Sequence, residues 1–215
     1  MLRERGGGQL AAFWTYADDM KPVAAADDSG AAEKAYSELM SVSQGFVAGH
    51  VLASYDLGRH RRLLDVAGGD GSFAAAALAL HPELQATVLD LPPVAALASQ
   101  RLASQGLASR AQAVAGDMLC DDLPGGADLI SLVRVLHDHD DAAVMTLLQA
   151  ARRALAPDGR LLIAEPLAGT RSAGGVGAYF EMYLWAMGSG RPRTRAELTG
   201  MLEAAGFADV REYPT

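Results

Sequence analysis

From about residue 60 onward, short and nearly unbroken apolar runs alternate with longer segments in which apolar residues return every three or four positions. The short runs predict strands over 62–67, 86–91, 112–115, 129–136 and 160–165. The longer ones predict helices over 72–80, 94–104 and 140–154, the last ended by Pro157-Asp158-Gly159. Helices near 177–187 and 195–205 and a last strand over 209–213 complete the pattern. Strands without a polar alternation are buried on both faces, and strands that alternate with helices pair in parallel. The expected fold is therefore α/β, a parallel sheet with helices on both faces. Up to about Leu57 the chain shows no strand pattern. There Tyr36, Leu39, Met40, Phe46, Val47, Val51 and Leu52 recur at helical spacing and form one apolar face. The expected division is a helical segment over 1–58 and the sheet domain over 59–215.

Composition narrows the partners. A net charge of −8 and a pI near 5.0 argue against nucleic acid, which needs clustered Lys and Arg to meet phosphates. The one basic run, Arg59-His60-Arg61-Arg62, stands at the entry of the first predicted strand and reads as a solvated strand start. Cys120 is the only cysteine, which rules out an internal disulfide and a cysteine-based zinc site. No run is long and apolar enough to span a bilayer, and no signal-peptide core follows Arg3, Glu4 and Arg5. The expectation is a cytoplasmic protein with no integral membrane segment, and contact at a membrane surface stays open.

The segment Leu63-Leu64-Asp65-Val66-Ala67-Gly68-Gly69-Asp70-Gly71 leaves a strand and opens a helix. Glycines there let a ligand approach the backbone, and the helix start offers free N–H groups. About twenty residues on, Asp90 ends the second predicted strand, placed to accept hydrogen bonds from two ribose hydroxyls. A dinucleotide loop presents G-x-G-x-x-G to a pyrophosphate. Here Asp65 ends the strand instead, and a carboxylate repels a pyrophosphate but suits a cofactor carrying an ammonium and a sulfonium. Asp117, in Ala115-Gly116-Asp117-Met118, can meet an adenine amino group while Leu91 and Met118 flank the ring. S-adenosylmethionine (SAM) is therefore preferred over a nicotinamide dinucleotide.

These motifs, with Leu136-His137-Asp138-His139-Asp140-Asp141, resemble the SAM-dependent O-methyltransferases of the caffeate and polyketide type. Within that family the chain is most similar to the bacterial carotenoid O-methyltransferases. The resemblance rests on the run from Ser131 to His139, on Tyr179-Phe180, and on 186–193, Ala-Met-Gly-Ser-Gly-Arg-Pro-Arg. It implies a Rossmann-like class I methyltransferase sheet preceded by a short helical segment. It further implies cofactor contacts at Asp65, Ala67, Gly68, Gly69, Gly71, Asp90, Leu91, Asp117, Met118 and Arg134, and a homodimer in the full-length family. Ala67 stands where the family has the first glycine of its loop, which puts a methyl group beside the cofactor's amino-acid end. The family's N-terminal dimerisation domain and its last strand are short or absent, so the chain reads as shortened at both ends.

By the same resemblance His137 is the general base, and Glu165 and Glu197 are the carboxylates that help it. An unperturbed imidazole, with a pKa of about 6.5, is largely neutral near pH 7 and can take a proton. The implied acceptor is a small, apolar, hydroxylated molecule, a carotenoid alcohol in the first place and a phenolic polyketide in the second. A carotenoid tertiary alcohol is a weak acid, so its proton should leave as the methyl arrives. Met40 and Phe180 are the preferred substrate contacts. The His137–Asp141 run also holds metal-ligand types, but consecutive residues at a helix start cannot all converge on one ion. Asp140 reads instead as a helix N-cap, and no metal is expected. An inactive SAM-binding fragment remains as a different reading.

Overall fold

The structure, a computed structural model, describes residues 44–170 and 189–213. Met40, Phe180 and the helix expected over 177–187 lie outside the described residues. The chain divides into two compact units. One holds 44–133, 150–164 and 211–213; the other holds 134–149, 165–170 and 189–210.

The first unit is built on a parallel sheet of β1 (Arg62–Val66), β2 (Gln85–Asp90), β3 (Ala111–Ala115), β4 (Ala127–Val133) and β5 (Leu155–Ala164). The strand order is β3-β2-β1-β4-β5, and every neighbouring pair is parallel. The chain reverses its direction of travel across the sheet between β1 and β4. In open α/β sheets, ligands bind outside the carboxyl ends of the strands at such a switch point. Helix α1 (44–54) precedes the sheet, α2 (Ser72–Leu80) follows β1, and α3 (Pro92–Ser104) follows β2 and packs on β2 and β3. Leu63, Val88 and Leu129 from the sheet close on Phe73, Ala77 and Leu78 of α2 and on Ala98 and Leu102 of α3. Ala48 and Val51 of α1, with Tyr55 and Leu57, enter the same core, so residues 44–58 belong to the sheet unit. Phe46, expected on the apolar face of that helix, is 78% exposed.

The basic run lies at the start of β1 with its three arginines exposed, but His60, expected to be solvated, is buried. The amides of Arg61 and Arg62 donate to Asp128, and His60 Nε2 lies 2.9 Å from the Tyr55 hydroxyl.

Most expected boundaries shift by one or two residues, and three strand boundaries differ for a backbone reason. β1 ends at Val66 because Ala67 turns to φ 51°, and β4 ends at Val133 because Arg134 turns to φ 61°. β5 begins earlier than expected because Leu155 already pairs with Ala127. The chain between them then bulges through Asp158, at φ 62°, before Arg160 pairs with Leu129. The strand expected over 209–213 is absent: that stretch is irregular, and Asp209 at φ 56° turns it out of an extended path.

In the second unit, residues 134–140 form a loop with one 3-10 turn at Leu136–Asp138. Helix α4 (Asp141–Ala154) starts directly after that loop, and α5 (Arg195–Ala204) follows the segment from Ser189 to Thr194. Among the described residues no helix is long and apolar enough to cross a membrane.

Candidate active site

The glycine loop and the two strand-end acids come together at the carboxyl ends of β1 and β2. Asp65 is 1% exposed. Its Oδ1 accepts a 2.6 Å hydrogen bond from Ser131 Oγ of β4, while Oδ2 has no protein partner. A Cβ on Gly68 would stand 2.6 Å from that Oδ2 and 2.8 Å from Val88 Cγ1, so glycine is what lets the loop pass over the acid. A buried carboxylate oxygen without a donor is costly, and the cost appears as a displaced equilibrium. Burial, opposed by the Ser131 bond and aided by the Asp90 charge, pushes Asp65 up to about 7. The orphan oxygen therefore fits a cationic donor, such as the ammonium of SAM, better than it fits a phosphate.

Asp90 anchors the same loop. Its Oδ2 accepts from Gly69 N at 2.8 Å and its Oδ1 from Leu91 N at 2.8 Å, which leaves each oxygen capacity for one more donor. Burial raises Asp90 to about 6 despite those two N–H donors. Gly71, at φ 78°, is the N-cap of α2 and brings that helix close to Ala98 of α3. Asp117 folds its own turn: Oδ1 accepts from Leu119 N at 2.9 Å, and its amide donates to Asp121 Oδ2 at 2.8 Å. Met118 is buried and Leu91 half-buried. Asp70 pairs with Arg101 and also accepts from Ser72. Ala67 carries its methyl on a left-handed backbone, a conformation that costs a non-glycine residue about 1–2 kcal/mol.

The second unit holds the base candidate. His137 sits in the 3-10 turn, 5% exposed, with Nδ1 2.6 Å from Glu165 Oε2. Glu165 Oε1 accepts from the amides of Val135 and Leu136 at 2.7 and 2.6 Å. With the carboxylate fixed by two amides, the neutral ring keeps its proton on Nδ1, facing Glu165, and its lone pair on Nε2. On the Nε2 side, Asp138 Oδ1 lies 3.2 Å away, buried and without a hydrogen bond of its own. Burial raises Asp138 to about 6, although His137 and His139 oppose the rise. For His137, burial alone would lower the pKa, but Asp138 and then Glu165 outweigh it, and Arg134 opposes them weakly. The net direction is upward. The imidazole is thus more often charged near pH 7 than an unperturbed one, a correction to the neutral base expected from the sequence.

Glu197 does not join this pair. Its Oε2 accepts from the amide and hydroxyl of Thr194, closing a capping box at the start of α5, and its Oε1 accepts from Arg191. The reciprocal spacing Thr194-x-x-Glu197 is a sequence signal for that structural role. Arg134 follows β4 directly, with a charge that bears on His137 and Asp138. The rest of the acidic run is dispersed: Asp140 Oδ1 accepts from Gly190 N, and Asp141 pairs with Arg191 and Arg193. Ser131 and Asp138 carry site geometry that the sequence reading did not assign. Ser131 was detectable as the one hydroxyl in the apolar run of β4, while the orphan oxygen of Asp138 had no sequence signal.

A family model of the O-methyltransferase domain matches residues 2–208. The chain belongs to that family. It is 42% identical over 207 residues to the demethylspheroidene O-methyltransferase of Cereibacter sphaeroides, covering 96% of this chain and 54% of the relative. Among solved structures it is similar to the mitomycin 7-O-methyltransferase MmcR, at 35% identity and a TM-score of 0.77, over 83% of this chain and 52% of that one. It is also similar to NcsB1, an O-methyltransferase from neocarzinostatin biosynthesis solved with S-adenosyl-L-homocysteine and 1,4-dihydroxy-2-naphthoic acid. That match has 33% identity and a TM-score of 0.74, over 80% of this chain and 51% of that one. The family chain thus spans about half the length of the curated relatives it matches.

Proposed function

We propose that this chain is the cofactor-binding and base-bearing part of a SAM-dependent O-methyltransferase whose acceptor is a hydroxylated carotenoid. The observation that carries the reading is the His137–Glu165 pair at 2.6 Å, with the carboxylate held by two backbone amides. The name of the Cereibacter sphaeroides relative supports the acceptor class. A phenolic acceptor is the second reading, favoured by the mitomycin and naphthoate enzymes among the relatives.

In this reading Asp65 Oδ2 takes the ammonium of SAM. Asp90 holds the ribose hydroxyls through its remaining lone pairs, and Asp117, Leu91 and Met118 serve the adenine. Gly68, Gly69, Gly71 and Ala67 shape the backbone path, and Arg134 lends its charge. When bound, SAM supplies an electrophilic methyl group on a sulfonium. The chain's own work is then to align the acceptor oxygen and remove its proton. Glu165 fixes the ring and its tautomer through Nδ1, and Nε2 would take the proton of the acceptor hydroxyl. The resulting imidazolium lies between two carboxylates, Glu165 and Asp138, which stabilise its charge. Proton loss in step with methyl arrival spares a tertiary alcohol the cost of a free alkoxide. Glu197 contributes through the Thr194 cap and Arg191. Met40 and Phe180 are the proposed acceptor contacts.

His137→Gln is expected to reduce methyl transfer at least 100-fold while S-adenosylhomocysteine still binds, as measured by product mass and calorimetry. Turnover at the wild-type rate in that variant would refute the base. Parallel incubations with a hydroxylated carotenoid and a hydroxynaphthoate, with labelled SAM, separate the two acceptor classes. Cofactor binding without transfer to either would favour the inactive-fragment reading, which the half-length match motivates.

A further inference from the structure

The turn that carries His137 is poorly equipped to hold its own shape. It is a single 3-10 turn whose two closing bonds are long, Asp138 N to Val135 O at 3.2 Å and His139 N to Leu136 O at 3.3 Å. It also begins beside a non-glycine residue at positive φ, Arg134. Glu165 ties the first part of the turn. Further order comes from a segment fifty residues along the chain.

Arg193 is 4% exposed and spreads its guanidinium over the back of this turn. Nη1 donates to Leu136 O at 2.6 Å and Nη2 to His139 O at 2.8 Å, the carbonyls on either side of His137-Asp138. Nε and Nη2 also donate to Asp141 Oδ1 at 3.0 and 2.8 Å, which supplies the counter-charge at the first residue of α4. Ser189 Oγ donates to Asp138 O at 3.1 Å, and Gly190 N to Asp140 Oδ1 at 3.2 Å. Gly190, at φ 74°, presses so closely that a Cβ there would lie 2.2 Å from His137 O. Backbone atoms of residues 136, 138 and 139 are thus each held by a side chain from 189–193, with Gly190 against the carbonyl of His137 itself.

We propose that Arg193, backed by Ser189 and Gly190, is a positioning residue that locks the His137 turn so that the imidazole stays on Glu165. A guanidinium suits this task because its planar fork reaches two carbonyls and a carboxylate at once. A lysine ammonium at the same place can reach only part of that set. The proposal rests on His137 being the base. A base displaced by about 1 Å loses about 100-fold in rate.

The test uses Arg193→Lys in this chain. The first readout is the downfield imidazole proton on Nδ1 of His137, held by Glu165 and assigned by its absence in His137→Gln. It should be lost or broadened in Arg193→Lys at a temperature where circular dichroism shows the variant folded. S-adenosylhomocysteine affinity should stay within about twofold, and kcat should fall about 10–100-fold. Should the lysine variant fail to fold, Arg193→Ala with millimolar methylguanidinium replaces it, and return of the proton signal on adding the guanidinium is the expected result. An unchanged imidazole signal and unchanged kcat in Arg193→Lys would overturn the clamp, as would a signal in Arg193→Ala that methylguanidinium leaves unaltered. Undiminished turnover in His137→Gln would instead overturn the base assignment, which the proton signal does not depend on.

Discussion

Replacing Asp65 by asparagine should make the ligand-free protein more stable at pH 8 and at the same time weaken its hold on the cofactor. Asp65 is fully enclosed, and one of its oxygens has no donor. Burial moves its pKa from 3.8 to about 7. The folded pKa lies above the unfolded one, so folding takes up a proton between those values. Stability from this group is therefore full below about pH 4 and is lost as the pH rises through about 7. The gap between the two values corresponds to about 4 kcal/mol. Asp90 and Asp138 act in the same direction, so the wild-type curve alone cannot isolate Asp65. The difference between wild type and D65N can. An asparagine amide buried without a new partner costs about 1–3 kcal/mol at every pH, and this constant cancels when the difference at pH 4 is subtracted from that at pH 8. The assay is thermal or urea unfolding of both proteins from pH 4 to 8. D65N should gain about 4 kcal/mol relative to wild type over that range, or roughly 10 °C in melting temperature. Calorimetry should show S-adenosylhomocysteine binding to wild type strengthening as the pH rises through about 7, and binding to D65N weaker and without that step near 7, keeping only the dependence from Asp90 near 6. A stability difference that does not change with pH, or undiminished binding by D65N, would refute the reasoning.

Two further outcomes follow from the same geometry. The acid limb of single-turnover methyl transfer should have its midpoint above 6.5, because Asp138 and Glu165 raise the His137 pKa against burial and Arg134, and the base must be neutral to act. Asp138→Asn should move that limb to lower pH; a limb that stays in place or moves up would contradict the electrostatic account. Ala67→Gly removes a side chain from φ 51°, a relief of about 1–2 kcal/mol partly offset by the greater freedom of glycine when unfolded. Urea unfolding should show a net gain of up to about 1 kcal/mol, and S-adenosylhomocysteine should bind at least as tightly; a loss of stability in A67G would count against it.

The sequence by itself determined the alternation of strands and helices, because burial on both faces of a parallel sheet demands the apolar runs that were visible. It also located the glycine loop, Asp65, Asp90 and His137. Asp65 and Asp90 stand at strand ends and His137 in the loop that follows β4, and the exits of strands are marked by the change from apolar to polar residues. The exact ends were decided by backbone turns at Ala67 and Arg134, residues whose side chains carry no preference for positive φ, and by the bulge through Asp158 that let β5 start before the Pro157-Asp158-Gly159 turn. Glu197 shows the limit on the side-chain level. Its place in the family motif suggested a helper to the base, whereas the fold engages both its oxygens with Thr194 and Arg191. Only the tertiary structure could pair Ser131 with Asp65, sixty-six residues apart, or leave Oδ2 of that acid without a donor. Likewise it alone brought Arg193 across to the His137 turn, fifty-seven residues from Leu136. Periodicity along a chain reports which face of an element is buried. It does not report which polar atoms meet after burial, and those meetings set the proton equilibria on which this site depends.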